Sequence, residues 1–185
     1  MSEKQVTPAG KEIGIVVSHA HWDREWRYTL WNSRMDLVEL MDEIIEVLES
    51  GAYPSYLLDG QSVVVEDYLE VRPEMTEKVK QFVREGKLFV GPWYTCPDTH
   101  PIDAECFIRN LLRGRRLSES YGGVFNYGYT SFGWGLPAQF PQLLAGFGID
   151  FALSSKYIHP SRTVNHEYLW RSPDGTEMLF TRLGT

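Results

Sequence analysis

Short apolar runs that read as strands alternate along this chain with longer segments whose apolar residues recur at helical spacing, and that alternation limits the folds open to it. The strand-like runs are residues 13–18, "YLL" at 56–58, "KLFVGPWY" at 87–94, "GVFNY" at 123–127 and "IDFALS" at 149–154. Between them, Leu37, Val38, Met41, Ile44, Ile45 and Leu48 share a helical face that Gly51 ends. In 62–71 a Val triplet admits a strand, but Val64, Tyr68 and Val71 fall on one helical face and favour a helix. Pro73 opens a segment with Met75, Val79, Phe82 and Val83 inward and Gly86 at its end. Asp103 can cap a helix carrying Phe107, Ile108, Leu111 and Leu112, and Pro137 opens another through Leu143, Leu144 and Phe147. The last stretch, "EYLWRSPDGTEMLFTRL", predicts two strands around a Pro-Asp-Gly turn. Strands joined by helical segments of a dozen or more residues are parallel neighbours. The fold class is therefore α/β, with a mainly parallel sheet or an incomplete barrel. In such folds ligands sit outside the carboxyl ends of the strands.

With 185 residues the chain is sized for one domain that buries about 70% of its unfolded surface. A net charge of −7 argues against nucleic acid or an anionic membrane surface as partner. No apolar run approaches the roughly 20 residues of a membrane span. Residues 1–12 have no apolar core of a secretory signal and read as a flexible lead-in, so the expected setting is cytoplasmic. Cys96 and Cys106 lack CxxC spacing and are expected to be small buried hydrophobes. Six Trp and ten Tyr exceed what a core of this size needs, and flat aromatic faces suit sugar rings, nucleobases and protein partners alike.

The strand at 13–18 ends in "SHAHWDREW", where His19, His21 and Asp23 alternate. In extended backbone, alternate side chains share a face at about 7 Å per step, so the three can converge. Imidazole and carboxylate suit a borderline divalent ion such as Zn²⁺; two ligands do not close a site, and others would come from later strand ends. A strand terminus that merely caps a helix would use the same residue types. Trp22 and Trp26 lie around the site, with Trp26 placed to face a pocket where it could pack on the apolar side of a sugar. "GPWYTCPDT" leaves another strand end with Asp98, and "LDGQ" offers Asp59 and Gln61; either could instead be a plain turn. "YTSFGWGLPAQFPQLL" has no GxGxxG or Walker pattern, and Ser131 has no nucleophile elbow.

Taken together, "SHAHWDREW", "LLDGQSVVVEDYLEVRPE", "GKLFVGPWYTCPD", "ECFIRNLLRG", "YTSFGWGLPAQFPQLL" and "WRSPDGTEML" resemble, in order and spacing, the N-terminal catalytic domain of glycoside hydrolase family 38, the α-mannosidases. The resemblance runs over 13–185. It implies a seven-stranded β/α barrel, here incomplete at the C-terminal side, and a metal-dependent retaining hydrolase of α-mannosides. On this mapping His21 and Asp23 fall on metal ligands and His19 on a neighbouring histidine. Trp26 falls on the tryptophan that the mannose packs against, and Asp98 on a pocket aspartate that hydrogen-bonds substrate. Asp59 is a further substrate-binding candidate.

The departure from the family pattern is Thr130. It stands where the family's nucleophile, also a metal ligand, is an aspartate. A neutral hydroxyl cannot form the glycosyl ester, and retaining enzymes need two carboxyls about 5–5.5 Å apart. Asp98 could serve as nucleophile or metal ligand instead. The expected partner is a carbohydrate, an α-mannoside, within mannose metabolism, although the chain taken alone is expected to be inactive. A catalytically silent sugar-binding relative is the alternative, and an HxH amidohydrolase or phosphoesterase a more distant one. Uncovered strand edges would favour a homo-oligomer or another partner.

Overall fold

The computed structural model describes residues 14–130, 135–154, 161 and 165–183, so the lead-in at 1–12, Ile13 and Ser131 lie outside the described residues. Helix α1 (Leu30–Glu49) starts earlier than the apolar stripe from Leu37 suggests, because the Thr29 hydroxyl accepts a hydrogen bond from the Asn32 N–H at 3.4 Å and caps it. Its buried face is the expected one, Leu37, Met41, Ile44, Ile45 and Leu48. The ambiguous segment after "LDGQ" is helix α2 (Val63–Val71), with Val63, Val64, Val65, Asp67 and Tyr68 all buried. A 3₁₀ turn at Pro73–Met75 leads into α3 (Thr76–Arg84), which turns Val79 and Phe82 inward. Asp103 caps α4 (Ala104–Tyr121) as its sequence predicts, the Asp103 carboxylate accepting from the Cys106 N–H at 2.8 Å. Helix α5 (Phe140–Ala145) is shorter than the run from Pro137 implies.

Strands β1 (Tyr56–Leu57) and β2 (Leu88–Phe89) pair in parallel, with Tyr56 opposite Leu88 and Leu57 opposite Phe89. Strands β3 (Gly128–Thr130), β4 (Phe151–Ser154), β5 (Glu167–Arg171) and β6 (Glu177–Arg182) form a second sheet in the order β3-β4-β6-β5. The β3–β4 and β4–β6 pairs are parallel, and the hairpin β5–β6 is antiparallel. This is the α/β, parallel-rich architecture expected. Two apolar clusters fill it. One gathers α1, α2 and α3 on Leu58, Leu88 and Val90; the other centres on Trp93, Phe107, Phe140 and Phe180. The Trp93 and Phe107 rings meet edge to face with centroids 5.2 Å apart.

Two strand expectations are corrected. The run at 13–18 is not a buried strand in its described part: Ile15, Val16 and Val17 are 85%, 93% and 60% exposed. Only its end joins β1, where the Leu57 N–H donates to Ser18 O at 3.0 Å and the Ala20 N–H to Leu57 O at 3.2 Å. The segment has the composition of a strand covered on both faces, but the described residues supply no such cover. "GVFNY" is a loop, and the strand starts at Gly128. There β3 lies so close to β4 that an added Cβ would stand 2.8 Å from the Ala152 Cβ and 2.4 Å from Leu144 Cδ1. Asn126 holds the preceding loop by donating to Gly148 O at 2.8 Å. The thiol expectation also fails in part, since Cys106 is exposed and Cys96 half-buried. No helix among the described residues is long and apolar enough to cross a membrane.

Candidate functional site

Three polar residues, His19, His21 and Asp23, lie at or just beyond the point where 18–20 meets β1, and the two histidines converge on one buried carboxylate. The chain leaves β1 through Leu58 into a tight turn, which the Gln61 N–H closes on Leu58 O at 2.9 Å. Asp59 adopts φ 49°, a left-handed conformation that aspartate tolerates better than most residues. Its carboxylate is fully buried. One oxygen accepts from His21 Nδ1 at 2.5 Å, and the other lies 3.4 Å from His19 Nδ1. The opposite ring nitrogen, His21 Nε2, faces Asp23 Oδ1 at 3.2 Å. The Gln61 side-chain amide donates to Trp22 O at 3.1 Å, so the turn grips the 19–23 segment at a second point. His19 and His21 thus meet at Asp59, and Asp23 meets the far side of the His21 ring.

The hydrogen bond to Asp59 raises the His21 pKa above its ordinary value; burial opposes the shift, and the charges of Asp59 and Asp23 add to it. With Nδ1–H committed to Asp59, the Nε2 lone pair and the Asp23 oxygen are two acceptors facing each other, which requires a positive centre between them, either a proton or a cation. A separation of 3.2 Å is what two ligands each about 2.0–2.2 Å from one divalent ion would show. The donor set therefore fits a metal at these two positions. Among the described residues no group of three or more His, Cys, Asp and Glu is arranged to hold a metal ion.

His21 and Asp23 form a ridge between two clefts. One, of 340 Å³, is also lined by Trp22, Trp26, Tyr28 and Asp36. The other, of 280 Å³, is walled by Gln61, Thr95 and Cys96. Trp26 is 70% exposed, and the Arg27 guanidinium lies 4.6 Å from its ring centroid. The loop after β2 is fastened by Asn110, whose Oδ1 accepts from the N–H groups of Tyr94 and Thr95 at 2.8 and 3.1 Å. Asp98 is half-buried further along that loop, and no hydrogen bond joins it to His21 or Asp23 among the described residues. Thr130 is fully buried at the carboxyl end of β3, in register with Ser154 of β4.

Sequence reading missed the anchor of the Trp26 loop. Arg24 makes a bidentate contact to buried Asp67 of α2 at 2.7 and 2.9 Å, and Arg34 approaches the same carboxylate at 3.6 Å. The signal was present: Asp67 shares the helical face of Val63, Val64 and Tyr68, where a carboxylate needs a partner.

Known proteins resemble this chain in sequence and fold. Over 182 residues the chain is 35% identical to a Halalkalibacterium halodurans protein named "Putative mannosylglycerate hydrolase", covering 91% of this chain and 20% of that protein. It superposes on a crystal structure of an α-mannosidase from Enterococcus faecalis V583 with a TM-score of 0.83 and 35% identity, over 90% of this chain and 19% of the other. A second Enterococcus faecalis structure, of a family 38 glycosyl hydrolase, gives 0.73 and 32% identity over 89% and 18%. The chain thus spans about a fifth of the length of these relatives. Residues 13–184 match the family described as Glycosyl hydrolases family 38 N-terminal domain, and the chain belongs to that family.

Proposed function

We propose that the chain is a glycoside hydrolase domain that recognises α-mannosides with the help of a divalent cation of zinc type. The observation that carries this reading is the His21 ring, held by buried Asp59 and turned toward Asp23 beside the exposed face of Trp26. A cation bound by His21 and Asp23 would supply Lewis-acid polarisation of the sugar hydroxyls. The chain's own residues do the rest. Trp26 packs on the apolar face of the ring. Asp36, on the wall of the same cleft, and Asp98, on the loop after β2, are two carboxylates that would accept from sugar hydroxyls. Relatives named as an α-mannosidase and a mannosylglycerate hydrolase support the substrate class.

Thr130 favours a second reading, a sugar-binding domain without hydrolysis of its own, because the family resemblance assigns the nucleophilic carboxylate to this position and the residue here is a buried hydroxyl. Two measurements separate the readings. Trp26→Ala is expected to weaken binding of methyl α-mannoside about tenfold by NMR titration, the loss of one aromatic packing contact. Absence of any mannoside binding by the wild type would overturn both readings. Thr130→Asp is expected to raise release of an aryl leaving group from an aryl α-mannoside at least about tenfold. Binding without hydrolysis in the wild type, reversed in Thr130→Asp, identifies the silent domain. A folded Thr130→Asp protein that binds and hydrolyses as the wild type does would remove Thr130 from the reacting centre.

A further inference from the structure

We infer that Asp59 is a positioning residue whose function is to fix the tautomer and orientation of His21, so that Nε2 rather than Nδ1 faces the cation. The inference rests on the reading of His21 and Asp23 as cation ligands, and it assigns the buried carboxylate a task distinct from contact with the sugar. Four observations converge on it. The carboxylate is fully buried, with His21 and His19 lying against it at 2.5 and 3.4 Å. It accepts from His21 Nδ1 at 2.5 Å, which leaves the lone pair on Nε2, the nitrogen 3.2 Å from Asp23 Oδ1. Its backbone is held at φ 49°, in a turn bonded on both sides: Gln61 N–H to Leu58 O at 2.9 Å and Trp93 N–H to Gly60 O at 3.0 Å. The same turn holds the Trp22 carbonyl through Gln61, so ring and backbone of the 19–23 segment are oriented by one element. A carboxylate behind a histidine ligand sets which nitrogen is available and strengthens it as a donor; loss of such a partner typically costs 10–100-fold in metal affinity.

The test uses Asp59→Asn, which keeps the volume, an acceptor oxygen and tolerance of the left-handed backbone, together with Asp59→Glu and His21→Ala. In the metal-free chain, ¹⁵N NMR of the imidazole at alkaline pH, where the ring is neutral, is expected to show His21 as the Nδ1–H tautomer in the wild type. A mixture of both tautomers is expected in Asp59→Asn. Zn²⁺ affinity, measured by competition with a chromogenic chelator, is expected to fall 10–100-fold in Asp59→Asn while its melting temperature stays close to wild type, and to be partly recovered in Asp59→Glu. A wild-type ring in the Nε2–H form overturns the inference. So does unchanged Zn²⁺ affinity in Asp59→Asn alongside its loss in His21→Ala. Unchanged Zn²⁺ uptake in His21→Ala overturns instead the reading of the cation site, and the tautomer measurement then decides the role of Asp59 alone.

Discussion

Gly114→Ala is expected to destabilise the chain by about 3 kcal/mol or more, although the same change inside a helix ordinarily stabilises by about 1 kcal/mol. Gly114 sits mid-way along α4, at the point where the helix presses on the segment that follows β2. A Cβ there would stand 2.2 Å from the Trp93 carbonyl carbon, 2.3 Å from Pro92 O and 2.3 Å from Tyr94 N. All three are backbone atoms, so no side chain can swing aside to relieve the overlap. The helix would have to withdraw from residues 92–94. That withdrawal loosens the fully buried Trp93, its indole bond to Tyr129 O at 2.7 Å, and the Asn110 contacts that fasten the loop walling one cleft. A loss of this size is a large part of the 5–15 kcal/mol that typically holds a domain together. In thermal unfolding it corresponds to a drop of roughly 6–12 °C for a chain of this length. A Gly114→Ala variant as stable as the wild type would mean that α4 and the 92–94 segment are further apart than described.

The helices were legible because each carries its own punctuation. Asp103 announces α4, Gly51 and Gly86 close the segments before them, and apolar spacing picks out the buried faces of α1 and α3. The β5–β6 hairpin was legible for the same reason, its Pro-Asp-Gly turn lying inside a stretch of alternating residues. The failures are long-range. Ile15, Val16 and Val17 have the composition of a doubly covered strand, but composition reports what a segment can bury, not whether cover is present. The strand β3 hides in "GYT" because its place is set by how closely Gly128 lets β4 approach, which no local pattern records. At the site, His21 and Asp23 announce themselves as alternating ligand types. Asp59 is 38 residues away and Asp67 lies 43 residues from Arg24, so their partnerships appear only when the chain is folded. A polar residue on an apolar helical face, as Asp67 is, was the one local hint.

His21→Ala is expected to lower Zn²⁺ affinity by about 100-fold or more and to cost about 1–3 kcal/mol of folding stability as well. The two losses have separate causes. The affinity falls because Nε2 is one of the two ligands assigned to the proposed cation among the described residues. The stability falls because fully buried Asp59 loses its hydrogen bond to the His21 imidazole, at 2.5 Å, and keeps only the looser approach of the His19 ring at 3.4 Å on that side. Asp23→Ala separates them. Its side chain is 47% exposed, so its removal is expected to lower Zn²⁺ affinity comparably while moving stability by no more than about 0.5 kcal/mol. His21→Gln supplies the converse, since an amide N–H that reaches Asp59 would recover stability without recovering the metal. Chelator competition and urea unfolding on the three variants read the two effects independently. Equal stability losses in His21→Ala and Asp23→Ala, with Zn²⁺ affinity unchanged in both, would reduce the His21–Asp23 pair to a structural contact and leave the cleft beside Trp26 without a cation to organise it.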